Sequence, residues 1–100
     1  MNFFNKNGEI VNVATMIVFD VDISQGSIFQ NEALKNCQMI IAKYAEPGES
    51  WFMDVISTGG YSLMTYNNTS VGVDYDKSTG KVTNRFASGM GNIKRIIGFK

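Results

Sequence analysis

The sequence predicts an α+β domain: an antiparallel sheet of about five to six strands with one helix packed on one face, in the order ββα followed by a β-meander. Three observations point there. The Asn7-Gly8 turn signal separates two apolar N-terminal stretches. Apolar residues recur at steps of three and four between Ala33 and Ala45. From Trp51 onward, short apolar stretches alternate with glycine- and asparagine-rich turns, the pattern of strands joined by short loops. A chain of 100 residues makes one domain over 1–100.

The first strand is short, around Phe3-Phe4, and the Asn5-Lys6-Asn7-Gly8 turn leads into a long one from Glu9 to Ile23. Side chains alternate along a strand, so Val11, Val13, Ile17, Phe19, Val21 and Ile23 share one face. The other face carries Ile10, Ala14, Met16 and Val18, then Asp20 and Asp22. The strand thus reads as buried on both faces at its start and solvated on one face at its end. Its length predicts a bulge or bend near Ala14-Thr15. Ser24-Gln25-Gly26 ends it, and Ser27 with Gln30 fits a helix capping box.

The helix is predicted from there to about Ala45. Ala33, Leu34, Cys37, Ile40, Ile41, Tyr44 and Ala45 form its apolar stripe, and Pro47-Gly48 ends it. Strands follow at Trp51 to Ser57, Tyr61 to Tyr66, Val71 to Asp76 and Lys81 to Phe86. The last two flank a hairpin loop at Lys77-Ser78-Thr79-Gly80. That loop sets Asp76 opposite Lys81, Tyr75 opposite Val82, Asp74 opposite Thr83, Val73 opposite Asn84 and Val71 opposite Phe86. Ile93 to Phe99 reads as a last strand, because Gly98 and the β-branched residues disfavour a helix.

Composition removes several kinds of chemistry. There is no histidine, which excludes His-based triads, Cys–His dyads and His-ligated zinc. One cysteine excludes an internal disulfide and a cysteine zinc cluster. Cys37 sits on the apolar stripe and reads as a small core hydrophobe. Asp74, Asp76 and Ser78 have the alternate spacing of a calcium loop, but the position of its bidentate Glu is taken by Arg85. No metal and no cofactor is expected.

Asp20 and Asp22 in VFDVDIS resemble the D-x-D loop of haloacid-dehalogenase-like phosphatases over about six residues. That family needs a larger parallel sheet with further lysine and acidic motifs, so the pair reads as a solvated strand end. A small carboxylate-dependent enzyme built on Asp20, Asp22 or Asp54 is the remaining enzymatic alternative. The main expectation is a protein that is not an enzyme.

Charge is balanced overall, with nine basic and nine acidic residues. It is segregated along the chain. The first 76 residues carry three lysines against nine acids, whereas Lys77, Lys81, Arg85, Lys94, Arg95 and Lys100 follow with no acid among them. Lys81 and Arg85 lie diagonal to Asp74 in the predicted hairpin. Lys77, Lys94, Arg95 and Lys100 have no partner in that scheme. Aromatic residues are the second resource, with Trp51, Tyr61 and Tyr66 on adjacent predicted strands. One helix cannot cover both faces of such a sheet, so aromatic and methionine surface should stay exposed.

These features predict a small protein-binding module whose partner-binding candidates are Lys77, Lys94, Arg95, Lys100, Trp51, Tyr61 and Tyr66. A homodimer through the uncovered sheet face is a second possibility for that surface. In bulk character the chain resembles small phage- or plasmid-encoded accessory proteins, including anti-defence inhibitors such as anti-CRISPRs. That resemblance implies an inhibitor of a host complex and transfers no residue. Nucleic-acid binding through the basic C-terminal segment is the alternative; the zero net charge counts against it. No membrane partner is expected. The N-terminus shows no signal-peptide pattern, and Met16 to Phe19 is an apolar run of four residues. A lone cysteine suits a reducing cytosol, the host's if the protein is phage-encoded.

Overall fold

The computed structural model describes residues 2–4, 10–13, 15–46 and 52–100, the first two segments as backbone only. It is built almost wholly of antiparallel strands, and no α-helix occurs among the described residues. β1 (Asn2–Phe4) and β2 (Ile10–Val13) pair as a separate hairpin. The Asn5–Gly8 turn between them, Ala14 and the Pro47-Gly48 stop signal lie outside the described residues.

Two four-stranded sheets make up the rest. Sheet I has the order β3-β10-β5-β6, formed by β3 (Met16–Ile23), β10 (Ile93–Phe99), β5 (Met39–Ala45) and β6 (Phe52–Ser57). Sheet II has the order β4-β9-β8-β7, formed by β4 (Ile28–Gln30), β9 (Lys81–Ser88), β8 (Thr69–Asp76) and β7 (Gly60–Tyr66). Their inner faces supply one core, with Ile40, Ala42, Tyr44, Val55, Ile93 and Ile96 from sheet I and Val71, Val73, Tyr75 and Val82 from sheet II.

The α+β expectation is therefore corrected to an all-β domain of two sheets. The segment predicted as one capped helix is instead β4, a single 3-10 turn (Glu32–Leu34) and β5. Asn31 caps the turn by accepting from the Ala33 N–H, and Asn36 takes a left-handed φ of 58°, which breaks any continuous helix. Ser27 belongs to the turn before β4 and caps nothing helical. In β5, burial alternates: Ile40, Ala42 and Tyr44 point inward, while Met39, Ile41 and Lys43 point outward. Residues 37, 40, 41 and 44 satisfy a helical stripe, yet 40, 42 and 44 equally satisfy a strand, and two partner strands decide the contest.

The long N-terminal strand is two strands, β2 and β3, in different sheets. The alternation within β3 is as read: Ile17, Phe19 and Val21 are half-buried and Ile23 buried, with Met16, Val18, Asp20 and Asp22 exposed on the other side. The outer side of its first half is open to solvent rather than buried. The β8–β9 hairpin keeps the expected register from Asp76–Lys81 to Val73–Asn84. A register shift between Gly72 and Val73 then sets Val71 opposite Ala87 instead of Phe86.

Buried hydrogen bonds fix how the sheets sit on each other. The Tyr44 hydroxyl, from sheet I, donates toward the Gly72 carbonyl (2.7 Å) and Asn84 Oδ1 (2.9 Å) of sheet II. Asn84 Nδ2 donates back to the Ile23 carbonyl of sheet I at 2.9 Å. Tyr75 of sheet II holds the crossover between β4 and β5: its hydroxyl donates to the Leu34 carbonyl and accepts from the Cys37 N–H. All these side chains are buried, so each polar atom needs the partner it has. At the β3–β4 corner the Phe19 and Phe29 rings bridge the sheets with centroids 5.2 Å apart.

Candidate functional site

The outer face of sheet I is ordered in rows by strand register. One row is Met16, Phe99 and Met39. The next is Val18, Ile97, Ile41 and Ile56. All seven side chains are half-buried or exposed. The third row is Asp20, Arg95, Lys43 and Asp54, which is charged throughout. Arg95 Nε meets Asp20 Oδ1 at 2.7 Å, and Lys43 Nζ meets Asp54 Oδ1 at 2.9 Å. Phe52 lies beyond that row, with Lys43 Nζ 5.8 Å from its ring centroid. Asp20, Lys43, Phe52, Lys94 and Arg95 line a shallow depression of about 310 Å³.

The apolar area is two rows deep, four strands wide in the Val18 row and three in the Met16 row, about 14 Å by about 14–19 Å, roughly 230 Å². A contiguous apolar patch rimmed by charged residues is the kind of surface that marks an interaction site. The ion pairs bordering it are exposed except for half-buried Lys43 and contribute little stability, but they keep one margin polar and fixed in register. Asp22 adds to this margin. Its carboxylate accepts from Asn92 Nδ2 (2.6 Å) and Lys94 Nζ (2.9 Å), and these hydrogen bonds hold it below the usual carboxylate range.

The sequence-predicted site residues are not gathered in one place. Lys94 and Arg95 are on the outer face of sheet I, each ion-paired, which corrects the expectation that they lack partners. Lys100 Nζ donates to the Lys35 carbonyl, at the end of β10 remote from Lys94. Lys77 is in the β8–β9 turn on sheet II, its aliphatic stem lying against Gly59. Tyr61 and Tyr66 are exposed on β7, and the Arg85 guanidinium stands 5.5 Å from the Tyr61 ring. Trp51 lies outside the described residues. Arg85 Nη1 does pair with Asp74 Oδ2, at 3.2 Å.

Beside Lys77, a polar depression of about 600 Å³ runs along the outer side of sheet II, lined by Asp74, Asp76, Lys81 and Arg85. The Ser78 hydroxyl and backbone N–H hold the Asp76 carboxyl below its usual range, so this acid is occupied in shaping the turn. Among the described residues, no group of three or more Cys, Asp or Glu could hold a metal ion. No helix among them is long and apolar enough to cross a membrane.

The residues that sequence reasoning missed are the apolar outer rows. Their signal was present in the even positions Met16 and Val18 and in the two-sided apolar pattern of 39–41 and 96–99. Comparison with protein-family models, curated proteins and solved structures gives no match.

Proposed function

We propose that this chain is a protein-binding module that docks through the outer face of sheet I. The carrying observation is the register that aligns seven apolar side chains in two open rows beside a row of ion pairs. A partner would bring an apolar surface of matching size to Val18, Ile97, Ile41 and Ile56, with polar groups meeting Asp20 and Asp54. Blocking a surface of a larger complex, without catalysis, is the action such a face supports. It accords with the inhibitor role implied by the resemblance to phage accessory proteins. The nucleic-acid alternative is weakened because Lys94 and Arg95 already face Asp22 and Asp20.

Quantitative capture tests this reading, using immobilised wild type, Val18→Lys and Ile56→Lys side by side. Both positions are exposed, so the variants keep the fold. A specific protein partner should be retained by the wild type and lost, by at least about tenfold in affinity, from both variants. A partner retained equally by all three, or retention of nucleic acid alone with a steep salt dependence, would overturn it.

A further inference from the structure

Four strands end the two sheets, and three are guarded against pairing with another chain. β3 carries Asp20 and Asp22, β6 carries Asp54, and β4 has only three residues. β7 has none of these devices. Its seven residues, Gly60–Tyr66, include no charge and no proline, and they follow β8 without a register shift. Tyr61 is 53% exposed, Leu63 57%, Met64 42% and Tyr66 65%. Met64 pairs with buried Val71 and so belongs to the inner side, yet it remains open. Sheet I therefore does not cover this stretch of β7. Among the described residues, β8 is its one neighbour in the sheet.

We propose that β7 pairs antiparallel with β7 of a second copy, joining the two copies of sheet II into one continuous sheet across a two-fold axis. Paired residues in adjacent strands must point to the same side, so a two-fold axis sets one residue opposite itself. The register centred on Leu63 uses the whole strand. Leu63 faces its own copy, Tyr61 faces Thr65 and Ser62 faces Met64, with no charge brought against charge. Identical strands paired this way leave no further β7 edge, and the other edges of the two four-stranded sheets are guarded, so pairing through these sheets stops at two. The shared line is about 24 Å long, well short of a standard interface, so the dimer forms at micromolar or higher concentration.

Sedimentation equilibrium from about 5 µM to about 500 µM spans the range in which such an interface operates. Wild type should pass from monomer to dimer. Leu63→Lys and Thr65→Lys, both at exposed positions, should each weaken the dimer at least about tenfold. Ile56→Lys should leave it unchanged, which separates this interface from the proposed docking face on sheet I. Thermal melts of the variants establish that they are folded. A monomer at every concentration, a dimer that neither β7 variant weakens, or one weakened by Ile56→Lys instead would overturn the proposal.

Discussion

Tyr75→Phe removes one oxygen and orphans two backbone groups. The Tyr75 hydroxyl donates to the Leu34 carbonyl at 2.5 Å and accepts from the Cys37 N–H at 3.0 Å. Leu34, Cys37 and Tyr75 are all buried, so water does not replace the lost partner without opening the crossover. A net hydrogen bond contributes about 1 kcal/mol, and a buried group left unpaired costs about 1–3 kcal/mol. Two such groups give an expected loss of about 2–6 kcal/mol, a large part of the roughly 5–15 kcal/mol typical of a domain. In a domain of this size that lowers Tm by about 10–30 °C. Urea unfolding followed by circular dichroism should show a lower midpoint at constant m-value, since the ring and its burial are kept. Tyr61→Phe is the control, because the Tyr61 side chain is exposed and its loss should change stability by less than about 0.5 kcal/mol. A loss below about 0.5 kcal/mol in Tyr75→Phe would refute the claim that this hydroxyl holds the crossover.

Alkaline pH should unfold the protein through the same side chains. Burial pushes the Tyr75 hydroxyl up to about 12 and raises Tyr44 as well. The unfolded chain then loses its tyrosine protons first. Stability is full below about pH 10 and falls between there and about pH 12, by about 1.4 kcal/mol per pH unit for each buried tyrosine. Unfolding curves across that window should show the decline, with a shallower slope in Tyr75→Phe. Two glycine substitutions should differ in cost. A Cβ at Gly98 would stand 2.8 Å from Leu34 Cδ2 and 3.0 Å from Cys37 Sγ, so Gly98→Ala should cost about 1–3 kcal/mol in chemical denaturation. At Gly72 the Cβ would meet the end of the exposed Tyr61 side chain, so Gly72→Ala should swing that ring away and cost less than Gly98→Ala. Cys37 is buried, and a thiol reagent should label it slowly in wild type and faster in Tyr75→Phe, where the crossover is loosened.

The parts of the fold legible in the sequence are those settled by local chemistry. Asp76-Lys77-Ser78-Thr79-Gly80-Lys81 specifies its hairpin because Asp76 bonds the Ser78 N–H and hydroxyl, and Gly80 takes a positive φ of 71°. The register follows from the loop length until the shift at Gly72, which no local residue pattern announces. β5 was illegible for the opposite reason. A central strand with apolar residues on both faces loses the alternation that marks a half-buried strand, and Ile40, Ile41 and Tyr44 then fit a helical stripe. The same ambiguity concealed the candidate site. Apolar residues on both sides of the start of β3 read as burial on both sides, and those of β5 as a helical stripe, but among the described residues sheet II packs on one side of these strands and leaves Met16, Val18, Met39 and Ile41 half-buried or exposed on the other. Tyr61 and Tyr66 were legible as exposed aromatics. Their place on an unguarded edge required the strand order.

The segregation of charge along the chain has its explanation in that strand order. β10 is the last strand of the sequence and an inner strand of sheet I, with β3 on one side and β5 on the other. The basic C-terminal segment is thereby laid against the earlier, acid-bearing part of the chain. The register shift between Ile93 and Arg95 leaves both Lys94 and Arg95 exposed, and they meet Asp22 and Asp20, which share one side of β3. Slipping β10 by one residue would turn Ile96 outward and bring a cation into the core, so these pairs work with the apolar alternation to select one register. Charges committed in this way offer little free potential to steer a distant partner. What folding leaves unused on that face is the apolar pair of rows, Met16 with Phe99 and Met39, then Val18 with Ile97, Ile41 and Ile56. A binding partner that exploits this face should therefore depend more on Val18 and Ile56 than on Lys94 and Arg95.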